Sequence, residues 1–177
     1  MLTAIALTLA QAAPTAAEPN PIPPLLEVEK RIAKRDAELF WYAFEGCDPA
    51  EVRERVTDDF RMLHDLAGVV SETGEAFTAM LKEQCDARAP GGANEGYKNR
   101  RLLVPGSDQV TWLGRWGVLH RGWHTFHEWR GDEKGWVQTG GARFINVWKW
   151  MPEEGRFRMQ ETISVDHGAV GPYKPEG

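Results

Sequence analysis

Apolar residues recur at helical spacing in the first part of the chain and at strand spacing in the rest. Leu25, Val28, Ile32, Leu39 and Ala43, with Phe40 and Phe44 alongside, predict a helix over residues 25–45 that Gly46 ends. "DPAE" at 48–51 starts another, with Asp48 as N-cap, Pro49 in the first position and Glu51 completing a capping box. Residues 60–65, "FRMLHD", read as a short strand, and "DLAG" as a turn held by Asp65 and Gly68. Thr73 caps a third helix whose Phe77, Met80, Leu81 and Cys85 share one face. From Lys98 onward no segment keeps helical spacing, and glycines punctuate β-favouring runs near 98–104, 109–113, 116–130, 136–150 and 156–166. Helices followed by a twisted antiparallel sheet make an α+β fold.

The first 24 residues are of a different texture. Leu2 to Ala10 is an apolar run of signal-peptide length, with small-residue cleavage sites at "AQA" (10–12) or "TAA" (15–17). The run is too short to span a bilayer. It also lacks a positive n-region, which leaves an Ala/Pro-rich tail as the alternative. The expected organisation is a signal peptide over 1–17, a Pro-rich linker over 18–24, one domain over 25–167 and a tail over 168–177. Export to the periplasm or beyond follows from the leader.

Composition narrows the partners. A net charge of −5, with no basic run longer than "NRR" at 99–101, argues against nucleic acid. Seven of the eight tryptophans lie between Trp112 and Trp150, more aromatic surface than one face of a sheet needs. A homodimer through the outer sheet face would cover the excess.

Three of the five histidines fall in "HRGWHTFHEW", residues 120–129. On a helix His120, His124 and His127 would make a zinc site. Gly117 and Gly122 and the β-branched and aromatic content instead favour a strand. There His120 and His124 point one way about 13 Å apart and His127 the other, so they cannot share an ion. A bulge at Gly122 would change that parity. Otherwise Gly122, His124 and Phe126 share a face, as do Phe144, Asn146, Trp148 and Trp150 on the next strand. His124 is equally readable as a core histidine bonded to backbone. Asp65 is expected to cap its turn and not to partner His64, because strand neighbours diverge. The only cysteines, Cys47 and Cys85, read as a disulfide in an exported protein or as two small buried residues.

The order of elements resembles the nuclear transport factor 2-like superfamily, and more narrowly secreted SnoaL-like proteins of unknown function. The residues carrying the resemblance are "GCDP" (46–49), "HDLAG" (64–68), the cysteine of "EQCDAR", "LVPGS" (103–107), "GWHTF" (122–126), "ARFINVWKW" (142–150) and "ISVDH" (163–167). It spans about residues 28–167. The resemblance implies a cone in which three N-terminal helices pack on a curved sheet around an apolar pocket. It places His124, Phe126, Phe144, Asn146 and Trp148 toward that pocket, with His64 and His167 converging on it. Asn146 stands where the pattern leads one to expect a histidine.

Two functions follow. One is binding of a small apolar molecule without turnover or cofactor. The other is proton-transfer catalysis of the isomerase, dehydratase or cyclase type, with His124 or His167 as base. Apart from Glu161 and Asp166 the sheet half offers no second strong candidate carboxylate, which favours binding.

Overall fold

A computed structural model of the chain describes residues 20–168; the expected signal peptide, the start of the linker and nearly all of the tail lie outside them. Helix α1 spans Leu25–Phe44, α2 Pro49–Arg53 and α3 Gly74–Arg88. The strands are β1 Val56–His64, β2 Gly68–Ser71, β3 Asn99–Leu103, β4 Gln109–Trp112, β5 Gly117–Trp129, β6 Trp136–Met151 and β7 Arg156–Val165. The caps act as their residue types require. Asp48 Oδ1 accepts the Glu51 N–H at 3.1 Å, and Thr73 Oγ1 accepts that of Ala76 at 3.0 Å.

All seven strands form one sheet in the order β2-β1-β7-β6-β5-β3, with β4 also on β5. Two sequence expectations change. The short strand at 60–65 begins at Val56, and "DLAG" is the turn of a β1–β2 hairpin, with Gly68 at φ 72°. The sheet is mixed, not antiparallel, because β1 lies parallel to β7, with Val56 opposite Met159 and His64 opposite Ser164. Local turns enforce the antiparallel neighbours. The parallel pair joins segments about 100 residues apart, which local periodicity cannot report.

Register breaks at Phe126/His127 and Val147/Trp148 mark bulges in the central strands, the kind of irregularity that bends a sheet. Gly122 seats no bulge: the β5–β6 register runs unbroken from Gly117 to Phe126. A Cβ at Gly122 would come within 3.0 Å of Asp108 and of the Phe144 ring. Glycine is there so that the β3–β4 loop can cross over the strand.

The side of the sheet facing the helices carries the core. Val28, Ile32 and Leu39 of α1 pack with Phe60, Trp148, Phe157 and Met159, and the Phe60 and Phe77 rings lie 4.8 Å apart. Trp148 and Trp150 are buried on this face, whereas Trp41 and Trp116 are exposed. The Trp150 indole N–H donates to Asn20 O at 2.8 Å, tying the residues before α1 to the sheet.

Candidate functional site

The buried stripe of α1 reads Val28, Ile32, Asp36, Leu39, Ala43, so a carboxylate occupies a core position. Arg101 of β3 answers it. Its Nη1 donates to Asp36 Oδ2, and its guanidinium lies over the Phe40 ring at 3.8 Å and the Phe144 ring at 4.8 Å. Asn146 Nδ2 donates to Asp36 Oδ1 at 3.3 Å, and Thr162 Oγ1 donates to Asn146 Oδ1 at 2.7 Å. His120 Nδ1 lies 3.7 Å from Asp36, while Nε2 meets Asp108 Oδ2 at 3.2 Å. A buried charge survives only when paired and hydrogen-bonded in this way.

Arg101 also sets the direction of a hydrogen-bond chain. Its Nε–H donates to His124 Nδ1 at 2.9 Å, and a guanidinium has no acceptor, so His124 carries its hydrogen on Nε2. That N–H faces Ser164 Oγ at 3.5 Å. The Ser164 hydroxyl is then free to donate to His167 Nε2 at 3.2 Å. His167 in turn donates Nδ1–H to Asp65 Oδ1 at 2.6 Å, and its backbone N–H donates to Asp65 Oδ2 at 3.2 Å. Desolvation raises the Asp65 pKa, but the His167 hydrogen bonds outweigh it and hold the carboxyl below its usual range.

Burial first, then the charges of Arg101 and His167, push His124 from 6.5 down to about 2. It is a fixed neutral donor, and so poorly suited as a base. Between those values the unfolded chain binds a proton the native protein refuses, so stability falls as pH drops below 6.5. The cost is about 1.4 kcal/mol per pH unit. His64 and His127, also lowered by burial, act in the same direction. Urea unfolding at pH 6.5 and 5 should therefore show an acid loss about 2 kcal/mol smaller in His124→Gln than in the parent protein. Equal losses would contradict the assignment.

The chain of hydrogen bonds opens into a cavity of about 290 Å³ between α1, α3 and the sheet. Leu39, Phe40, Phe60, Phe77, Met80 and Leu81 are half of its twelve apolar wall residues, and His64, Gln84, His124, Thr162, Ser164 and His167 supply its polar points. The size and this ratio of polar to apolar residues suit a compact, mostly hydrophobic molecule.

His64 and His167 stack with ring centroids 3.9 Å apart, 20° from parallel. With Asp65 they hold ligand-type atoms within 4.8 Å of one another. Imidazole lone pairs lie in the ring plane, and near-parallel stacked rings cannot aim them at a common ion. His64 Nδ1 is moreover taken by the Leu66 N–H at 3.2 Å. The cluster is built for hydrogen bonding.

Of the residues expected at the pocket, His64, His124, Phe126 and His167 line the cavity. Phe144, Asn146 and Trp148 share their face of β6 but are buried outside that lining, with Asn146 committed to Asp36 and Thr162. Asp65 departs most from expectation. Instead of capping its turn it bonds His167 and lies 3.3 Å from His64, because β1 ends at His64 and strand divergence no longer applies. Two important residues escaped the sequence reading. Asp36 had a legible signal, a charge at the in-register position between Ile32 and Leu39. Arg101, the second arginine of "NRR", had none. Cys47 and Cys85 form a disulfide.

No family profile matches this sequence, and no curated protein resembles it. Solved structures do. ActVI-ORFA from Streptomyces coelicolor superposes with a TM-score of 0.65 at 14% identity, covering 81% of this chain and 99% of its own. An NTF2-like protein with a cystatin-like fold from Novosphingobium aromaticivorans gives 0.60 at 16% identity, covering 79% and 82%. A Catenulispora acidiphila protein in complex with S-DNPA gives 0.62 at 13%, covering 78% and 94%. The fold is therefore the cystatin-like fold of that NTF2-like protein, α+β with a curved mixed sheet.

Proposed function

We propose that the protein binds a small, largely apolar molecule in this cavity and moves a proton on it, with His167 as general base and Asp65 orienting the imidazole. The observation that carries the reading is the 2.6 Å Asp65–His167 hydrogen bond at the edge of an apolar cavity. A base needs its ring held in one tautomer with the other nitrogen left as acceptor. Asp65 fixes that tautomer, and His167 Nε2 is the acceptor, met at rest by the Ser164 hydroxyl that a reactant would displace. The scarcity of carboxylates that favoured simple binding no longer weighs, since Asp65 comes from the far edge of the sheet. The S-DNPA bound to the Catenulispora protein supports a small molecule as occupant of this fold.

A generic reactant tests this without knowledge of the natural one. 5-Nitrobenzisoxazole opens when a base in an apolar site removes its ring proton. We expect turnover by the parent protein and a loss of about 100-fold or more in His167→Gln. Anilinonaphthalene sulfonate binding should persist in the variant, showing an intact cavity. Turnover unchanged by His167→Gln would remove the base assignment, and no turnover beside normal dye binding would favour a pure binder.

We propose separately that the protein works outside the cytoplasm, a location the Cys47–Cys85 bond supports because an oxidising compartment preserves such bonds. A second copy is the proposed cover for the outer face, where Leu119 faces Val147 and Ile145 faces Ile163. Sedimentation as a monomer at every concentration would exclude it.

A further inference from the structure

We propose that Ser164 is a nucleophile, and that Ser164, His167 and Asp65 form a triad acting on small esters with an apolar acyl group. This rests on the cavity being a small-molecule site with His167 as its base, and it names the first proton that base removes. Ser164 Oγ lies 3.2 Å from His167 Nε2, and His167 Nδ1 lies 2.6 Å from Asp65 Oδ1. Hydroxyl to Nε2 and Nδ1 to carboxylate is the arrangement that defines a serine–histidine–aspartate triad, whatever fold carries it. Ser164 is 5% exposed, yet it lines the cavity, so its hydroxyl is accessible only from the space a ligand would fill.

Two further observations separate this from an ordinary buried serine. The hydrogen on Ser164 has a determined direction. Arg101 forces the His124 hydrogen onto Nε2, the Ser164 oxygen accepts it, and the hydroxyl proton is left for His167. The backbone is also bent to bring the pair together. Asp166 adopts φ 59°, a left-handed conformation unusual for a non-glycine residue. That turns the chain so that His167 lies over a serine only three residues earlier. Arg143 holds Asp166 at 2.8 Å and the Gly168 N–H donates to Gly141 O at 2.8 Å, anchoring the turn on both sides.

The chemistry balances with ester and water alone. Ser164 Oγ bonds to the ester carbonyl carbon as its proton passes to His167 Nε2, and the carbonyl π pair moves onto oxygen. Once Oγ is bonded to carbon, the neutral His124 Nε2–H, 3.5 Å from Oγ at rest, turns to the developing oxyanion two bonds away. Collapse expels the alkoxide, which takes the proton from His167 and leaves as alcohol. Water, deprotonated by His167, then attacks the acyl-serine, and Ser164 Oγ leaves and regains its proton as the carboxylic acid departs. Asp65 stays ionised throughout and stabilises the imidazolium.

The test uses the full chain with phenylmethylsulfonyl fluoride and p-nitrophenyl butyrate. Intact mass should show one sulfonyl group per chain, mapped to Ser164, and the ester should give a burst of one nitrophenolate per chain. Ser164→Ala should lose both while binding anilinonaphthalene sulfonate as before, and His167→Gln should slow labelling about 100-fold or more. Asp65→Asn should slow labelling while leaving dye affinity alone, a pattern that a purely structural aspartate would not give. Absence of label on the parent protein, or label elsewhere, overturns the triad. Ester hydrolysis undiminished in Ser164→Ala also overturns it. Unlabelled protein that still opens 5-nitrobenzisoxazole retires the nucleophile and keeps the base, and the reverse result keeps the triad and retires direct proton transfer.

Discussion

Replacing Asp36 by alanine should be among the most damaging single changes this protein can suffer, costing about 3–5 kcal/mol. The cause lies in what remains behind. Arg101 has a side chain only 2% exposed and is always charged, and Asp36 is its only ion-pair partner among the described residues. Its Nη2 already lacks a hydrogen-bond partner there. Without Asp36, Arg101 keeps only the neutral His124 nitrogen and the faces of Phe40 and Phe144. A chain of this length should lose roughly 10 °C in Tm. Urea unfolding measures the cost directly. The double replacement Asp36→Leu with Arg101→Met should recover much of the loss, because a buried pair exchanged whole for apolar groups is often close to neutral. A loss under 1 kcal/mol for Asp36→Ala alone would mean that water reaches this cluster.

Removing the disulfide should cost a similar amount. Cys47 and Cys85 are 38 positions apart, and closing a loop of that length in the unfolded chain is worth about 4 kcal/mol in the loop-entropy account. The bond fastens the end of α1 to the last turns of α3, and α3 contributes Phe77, Met80, Leu81 and Gln84 to one wall of the cavity. Dithiothreitol should therefore lower both Tm and the affinity for anilinonaphthalene sulfonate in the parent protein, and change neither in Cys47→Ser/Cys85→Ser. A parent protein indifferent to reductant, with its thiols shown free by alkylation, would contradict this expectation.

Much of the fold could be read locally. The period of α1, the caps at Asp48 and Thr73 and the alternation that gives Gly122, His124 and Phe126 a common face depend on near neighbours in sequence. So does the splitting of the histidine cluster. His127 leaves the face of His120 and His124 and meets Thr125 Oγ1 at 3.0 Å. What the site does with these residues depends on longer separations. His124 was legible as a cavity residue but not as a neutral donor, because Arg101 is 23 positions away on another strand. Asp65 read as a turn residue because its partner His167 lies 102 positions further on. The two meet only because β1 pairs in parallel with β7, a contact no local pattern encodes. Asn146, Phe144 and Trp148 have the parity of the pocket face, yet parity says nothing of depth, and helix packing buries them outside the cavity. The sequence alone thus determined the three helices, the later strands, most of their apolar faces and the two cysteines available to pair, since short-range sterics, hydrogen bonding and solvent exclusion act on each segment. Only the tertiary structure decided which titratable groups touch and where each proton sits. Those depend on through-space distances of a few ångströms between residues far apart in the chain.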